Sequence, residues 1–416
     1  MADNPYTLHR LANGLQIVIE CMPDVRSVAV GFLVRTGSRD ETPEVAGVSH
    51  FLEHMMFKGT ARRTWRQITV DFDRLGSTYN AYTSAERTIY YGWVPHDLLE
   101  PQLELLADMM QSRLPPEEFD TEKNVVLEEI AMSKDQLEHV AMDFLQEQVF
   151  AGHPLAWPIL GYDHTVGPLS RDGMDGYFRQ RYAADNLTLI VTGNLNPTVV
   201  IDLADKYCGA WQPAGAPAER RLPALRQGTS VQQVERFKQQ IVALACPSVG
   251  SADPLAETAG ALATILGGEN SRFYWNIIQT GISPRAGVFH LDYRDCGLLV
   301  LWGACQPENA ERLLDAMRAE AAKISTEKVA THEVQRVKNI RRTGLAIEAE
   351  APYHRFGQIV EDMECRGHPR TVNQMLADVD AVSADTIQQY LARCPIDRGG
   401  HLVSVGPRAW PAASNC

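Results

Sequence analysis

Between Trp211 and Gly228 the chain reads Gln-Pro-Ala-Gly-Ala-Pro-Ala-Glu-Arg-Arg-Leu-Pro-Ala-Leu-Arg-Gln, and the periodicity of the preceding residues stops. Proline and glycine at this density interrupt both helix and sheet, so the stretch reads as a linker. Beyond it a similar order of elements restarts. The apolar run Ser27 to Val34 precedes a helical stretch near Gly47, and Gln239 to Cys246 precedes a helical stretch from Leu255 to Leu266 that stops at Gly267-Gly268. Each half also closes alike, with a helix before a strand: Met174 to Tyr182 before Asn186 to Gly193, and Thr386 to Arg393 before His401 to Gly406. Such a chain folds as two homologous halves, residues 1–210 and 229–416 joined by 211–228. Its 416 residues suffice for a core in each.

The first half carries the clearer local signals. Asn13-Gly14 between apolar runs predicts a hairpin, and Val-Ala-Val-Gly-Phe-Leu-Val after Ser27 predicts a strand buried on both faces. Thr64 to Leu75 has a helical pattern ending at Gly76, and the aromatic and β-branched residues of Thr78 to Thr83 and Glu86 to Val94 predict paired strands. Helices are expected after Pro95 and after Pro197, and one long helix from Glu117 to Phe150 behind Pro115-Pro116. The class is α+β, with a mostly antiparallel or mixed sheet packed against helices in each half.

The chemistry concentrates in Gly47-Val48-Ser49-His50-Phe51-Leu52-Glu53-His54-Met55-Met56-Phe57-Lys58-Gly59-Thr60. On a helix, residues three and four apart share a face, so His50, Glu53 and His54 converge. Two neutral imidazoles suit a catalytic zinc, which takes about three protein ligands and keeps one position open. The glutamate between them is placed to take a proton from water. The order His-x-x-Glu-His is the inverzincin arrangement. A third ligand must come from elsewhere. Glu122 and Glu129, seven residues apart on the expected long helix, share a face, and either can supply it. The corresponding helix of the second half, Thr258 to Leu266, has no histidine and no paired carboxylates, so it cannot build the same centre.

Composition narrows the alternatives. A net charge of −13 argues against a nucleic-acid binder, which needs clustered Lys and Arg. No run approaches about 18 uninterrupted apolar residues and Met1 to Tyr6 lacks a secretory pattern, so the expectation is a cytoplasmic chain without membrane attachment. The eight cysteines, Cys21 to Cys416, include no Cys-x-x-Cys pair and read as reduced thiols.

Gly47 to Thr60, Asn80-Ala81-Tyr82-Thr83-Ser84 with Glu86-x-Thr88-x-Tyr90, Glu122 to Ile130, and Arg181-Tyr182-x-x-Asp185-Asn186 together resemble the zinc peptidase family of pitrilysin, insulin-degrading enzyme and mitochondrial processing peptidase. The resemblance is dense in the first half and one of layout in the second. It implies a mitochondrial-processing-peptidase-like fold and one zinc per chain, with His50, His54 and Glu129 rather than Glu128 as ligands, Glu53 as general base and Glu122 supporting the site. It further implies that Asn80, Ala81 and Tyr82 lie on an edge strand against which an extended peptide adds.

Arg272, Tyr274 and Tyr293 are candidates for a substrate contact from the second half. A departure leaves that half's contribution open: Ser271-Arg272 is followed by Gly281-Ile282-Ser283-Pro284-Arg285, without the Gly-Leu-Ala-Tyr run of many bacterial members. The implied activity is hydrolysis of unfolded or short polypeptides. The short form of the family acts as a pair, which implies a homodimer or a heterodimer with a related inactive subunit. The alternative is a catalytically silent peptide-binding or assembly subunit.

Overall fold

The computed structural model describes residues 5–215 and 219–411. Cys416, Met1 to Asn4 and linker residues 216–218 lie outside the described residues. The described chain divides into two compact units, and the division does not follow chain order alone. The first comprises residues up to Ala131, Trp157–Arg221 and Ala346–Val372; the second comprises Met132–Ala156, Leu222–Leu345 and the residues from Asn373 onward.

In the first unit six strands form one sheet in the order β1-β2-β6-β3-β5-β4. They are β1 (Tyr6–Arg10), β2 (Gln16–Cys21), β3 (Ser27–Val34), β4 (Thr78–Thr83), β5 (Thr88–Pro95) and β6 (Leu187–Gly193). The expected Asn13-Gly14 hairpin joins β1 to β2, and β3 is buried along nearly its whole length. All pairs are antiparallel except β2 with β6, so the sheet is mixed.

One face of this sheet is covered by α1 (Val48–Met56), α2 (Trp65–Leu75) and α3 (Leu99–Met109), whose apolar side chains join Val28, Val30, Phe32 and Val34 in one core. The other face, Val18, Ala29, Leu33, Ile89, Tyr91 and Ile190, is covered by Phe356, Ile359, Val360 and Met363 from the helix Pro352–Cys365. That helix is fixed by buried Arg355, whose Nε donates to Glu20 Oε2 at 2.9 Å. Among the described residues β4 pairs only with β5 and so forms a free edge.

The expected single helix from Glu117 to Phe150 is instead two, α4 (Pro116–Lys134) and Leu137–Val149. Gln136 leaves the helical region at φ −104°, ψ 114°. No glycine or proline breaks the run. The two segments bury their apolar stripes in different units, α4 through Phe119, Val126 and Ile130, and Leu137–Val149 against a second sheet. Tertiary packing therefore overrides helix propensity here.

The second unit holds β7 (Gly228–Gln233), β8 (Gln240–Ser248), β9 (Arg285–Asp292), β10 (Gly297–Cys305) and β11 (His401–Gly406) in the order β7-β11-β8-β10-β9. Here too one pair, β7 with β11, is parallel. Helices Ala256–Gly267, Ala310–Thr326 and Ala384–Arg393 cover one face. Among the described residues no helix is long and apolar enough to cross a membrane.

Candidate metal centre

Val48, Phe51, Leu52, Met55 and Met56, with Ser49 among them, make the inner face of α1 buried and mostly apolar. Burying the four largest contributes about 1.5–3 kcal/mol each. That outweighs the few tenths of a kcal/mol by which histidine disfavours a helix. The outer face carries His50, Glu53 and His54, half-buried.

The start of α1 is tightly specified. Gly47 has φ +96°, and a Cβ there would lie 2.6 Å from Leu160 O and 2.8 Å from Gly161 Cα. The amides of Gly47 and Ser49 both donate to the buried carboxyl of Glu41, each at 2.7 Å. The first amides of a helix otherwise have no partner. Ser49 Oγ lies 2.7 Å from the Tyr177 hydroxyl. Burial pushes the Glu41 pKa up to about 8, against the lowering effect of the Ser49 and Gly47 hydrogen bonds.

α4 supplies the facing carboxylates. Glu129 Oε2 lies 3.7 Å from His50 Nε2 and 3.5 Å from His54 Nε2. Glu128 is exposed. Glu122, two turns earlier, is buried. It accepts from His54 Nδ1 at 2.8 Å through Oε1 and from Lys58 Nζ at 2.5 Å through Oε2. With Nδ1–H donating to Glu122, the lone pair of His54 sits on Nε2, on the Glu129 side.

Burial, followed by the charge of His54, pushes His50 down to about 3, so it is a neutral imidazole near neutral pH. Burial also disfavours the His54 cation, but Glu122, Glu129 and Glu53 outweigh it and raise its pKa. Desolvation raises Glu53 above the usual carboxylate range, opposed by hydrogen bonds from Thr83. The Thr83 hydroxyl donates to Glu53 Oε2 at 2.6 Å.

Among the described residues, His50, His54 and Glu129 are the one group of three or more His, Cys, Asp or Glu with donor atoms within 4.8 Å of one another. Donors about 2.0–2.2 Å from a common tetrahedral ion stand roughly 3.3–3.5 Å apart. The Glu129–His50 and Glu129–His54 separations, 3.7 and 3.5 Å, fall close to that spacing, and two imidazoles with a carboxylate are an ordinary zinc donor set, so the residues fit the ion. His50 Nδ1 is buried without a hydrogen-bond partner.

Asn80, Ala81 and Tyr82 lie on the edge strand β4. Asn80 and Tyr82 are exposed, and the Ala81 amide bonds the Asn80 side chain at 2.9 Å. Arg272, Tyr274 and Tyr293 belong to the second unit. There the Arg272 Nε and Nη2 donate to Glu333 at 2.8 Å each, half-buried Tyr274 accepts from Gln279, and buried Tyr293 accepts from Gln146. Sequence reasoning missed Glu41, Ser49, Tyr177 and the role of Thr83. Ser49, and Lys58 one turn beyond His54, stood inside the motif itself.

A family model described as Insulinase (Peptidase family M16) matches residues 16–163, and one described as Peptidase M16 inactive domain matches residues 168–341. An uncharacterized zinc protease of Bacillus subtilis is 30% identical over 381 residues, covering 90% of this chain and 92% of the relative. Mitochondrial-processing peptidase subunit beta of Lentinula edodes is 29% identical over 423 residues, covering 97% and 90%. In fold, the crystal structure of a protease from Helicobacter pylori matches with a TM-score of 0.89 at 19% identity, over 96% of this chain and 99% of that one. A structure from Pseudomonas fluorescens described as a peptidase M16 inactive domain matches with the same TM-score of 0.89 at 18% identity, over 97% and 98%. With two family models succeeding one another along the sequence and relatives aligned over nearly their whole length, the chain belongs to the insulinase family of peptidases, M16.

Proposed function

We propose that the protein is a zinc-dependent peptidase with one ion per chain, held by His50, His54 and Glu129. The observation that carries this reading is the meeting of the three donors beside Glu53. The relatives named zinc proteases support the choice of ion. Zinc would polarise a peptide carbonyl and lower the pKa of water.

The chain's own groups do the rest. Glu122 holds His54 in the tautomer that leaves Nε2 for the ion. Glu53, with Oε2 tied to Thr83, keeps Oε1 to accept a proton from the attacking water and to pass it to the departing amine. A peptide extended along the free edge of β4 would pair with its main chain, which needs little side-chain specificity and suits unfolded or short polypeptides. Asn80, Ala81 and Tyr82 then flank the bound peptide. In the second unit, Arg272 is that half's candidate for a substrate contact. The working form in this reading is a homodimer, or a heterodimer with a related inactive subunit, and the name of the Lentinula edodes relative, a subunit, agrees with it.

The test is zinc content together with cleavage of an internally quenched peptide. One zinc per chain, turnover by the wild type and none by Glu53→Gln support the reading. Peptide binding without turnover by the zinc-loaded wild type overturns it in favour of a silent binding subunit.

A further inference from the structure

Along β4 successive side chains alternate between the two faces of the sheet. Tyr79, Ala81 and Thr83 point to the side of α1 and α2, where Tyr79 stacks on Phe72 with ring centroids 3.8 Å apart. Asn80 and Tyr82 point to the other side and are exposed. Thr83 is the last residue of the strand, and it alone among the described residues hydrogen-bonds the Glu53 carboxyl. The contact joins an edge strand to the motif helix across 30 residues of sequence.

The end of the strand beyond Thr83 is held firmly. The Ser84 amide donates to Arg87 O at 2.8 Å, and Ser38 and Arg39 amides donate to Ser84 O and Ala85 O at 3.2 and 2.8 Å. The outer edge of β4 has no such support, since among the described residues no strand pairs there. The strand is therefore paired with β5 along its inner edge, fixed at one end, and without a strand on its outer edge among the described residues, and the side chain at the fixed end holds the Glu53 carboxyl.

From this arrangement we infer that Thr83 is a positioning residue through which a peptide bound along β4 orders Glu53. The inference rests on the peptidase reading above. A peptide adding as a strand restricts β4, which restricts Thr83, and the hydroxyl then fixes which oxygen of Glu53 faces the reacting water. Without the hydroxyl, Glu53 keeps only the Thr83 backbone bond and is less constrained, and misplacement of a reacting group by about 1 Å lowers a rate by about a hundredfold. A serine keeps the hydroxyl; a valine keeps the shape and removes it.

The experiment compares full-length wild type, Thr83→Val and Thr83→Ser, each zinc-loaded, on two quenched peptides that share a cleavage sequence. One is short, and the other is extended to run the length of β4. Thr83→Val is expected to lower kcat by about 10- to 100-fold with KM within about twofold, and with zinc content and melting temperature unchanged. Thr83→Ser restores kcat to within a few-fold. Lengthening the peptide raises kcat severalfold in the wild type and in Thr83→Ser, and not in Thr83→Val. A merely structural threonine would not produce that difference. Wild-type kcat in Thr83→Val, an equal length effect in both proteins, or a loss that tracks zinc content overturns the inference while leaving the peptidase reading intact. No hydrolysis by the wild type overturns both.

Discussion

Glu122 and His54 are joined by a 2.8 Å hydrogen bond at Nδ1, while Nε2 of the same ring lies 3.5 Å from Glu129. One helix thus grips the imidazole from both sides, using two carboxylates seven residues apart. The inner one sets the tautomer, and in the proposed reading the outer one would share the ion. Replacing Glu122 by Gln weakens the acceptor and strips Lys58 of its partner without opening a cavity. We expect zinc affinity to fall about 10- to 100-fold with little change in melting temperature. Competition against a fluorescent zinc chelator measures it, and unchanged affinity would reduce Glu122 to a salt-bridge partner of Lys58.

Glu128 and Glu129 are adjacent in sequence, yet only Glu129 reaches the histidine pair. Glu129→Gln is expected to lower zinc affinity by more than Glu122→Gln does. Glu128→Gln, at an exposed position, is expected to leave affinity within about twofold and stability within about 0.5 kcal/mol. The same chelator competition decides between the neighbours.

Burial pushes the Glu41 pKa up to about 8, whereas in the unfolded chain it titrates near 4.5. Between those values the folded protein holds a proton that the unfolded chain has lost. Stability from this group is therefore complete below about pH 4.5 and is lost as pH rises through about 8. The melting-temperature difference between wild type and Glu41→Gln, measured without metal, should be most favourable to the wild type near pH 5 and shrink towards pH 8. A difference that grows with pH would contradict a protonated Glu41.

Gly47→Ala places a methyl group against Leu160 O and Gly161 at a left-handed backbone position. The expected loss is above about 1 kcal/mol, because both the conformation and the space are refused. Calorimetry reads the stability. Because α1 starts at this residue, zinc affinity should fall as well.

The parts of this architecture that were legible in the sequence are those written locally. The Asn13-Gly14 hairpin, β3, α1 and the Thr64 and Gly76 ends of α2 each carry their own periodicity or capping residue. His50, Glu53 and His54 share a face by spacing alone. Glu41 was invisible because, in Arg39-Asp40-Glu41-Thr42-Pro43-Glu44, it reads as one more solvated carboxylate, and its partners are main-chain amides that leave no trace in side-chain chemistry. Thr83 was read as part of a strand, since nothing local ties it to a helix 30 residues earlier. The break at Asp135-Gln136 was hidden because both neighbouring stretches are good helix formers and the reason for it is the surface each one covers. β7 starts at Gly228, the last residue of the stretch read as linker, and its remaining residues were assigned no element, since its parallel partner β11 lies much later in the sequence.

The helix Pro352–Cys365 carries a consequence for biosynthesis. Tyr6, Val18, Ala29 and Ile190 emerge from the ribosome long before Phe356, Ile359 and Met363 exist to cover them. The sheet that supports α1 keeps one oily face bare until that helix has been made. A fragment ending at the linker would carry His50, His54 and Glu129 and still lack the lid of its own core.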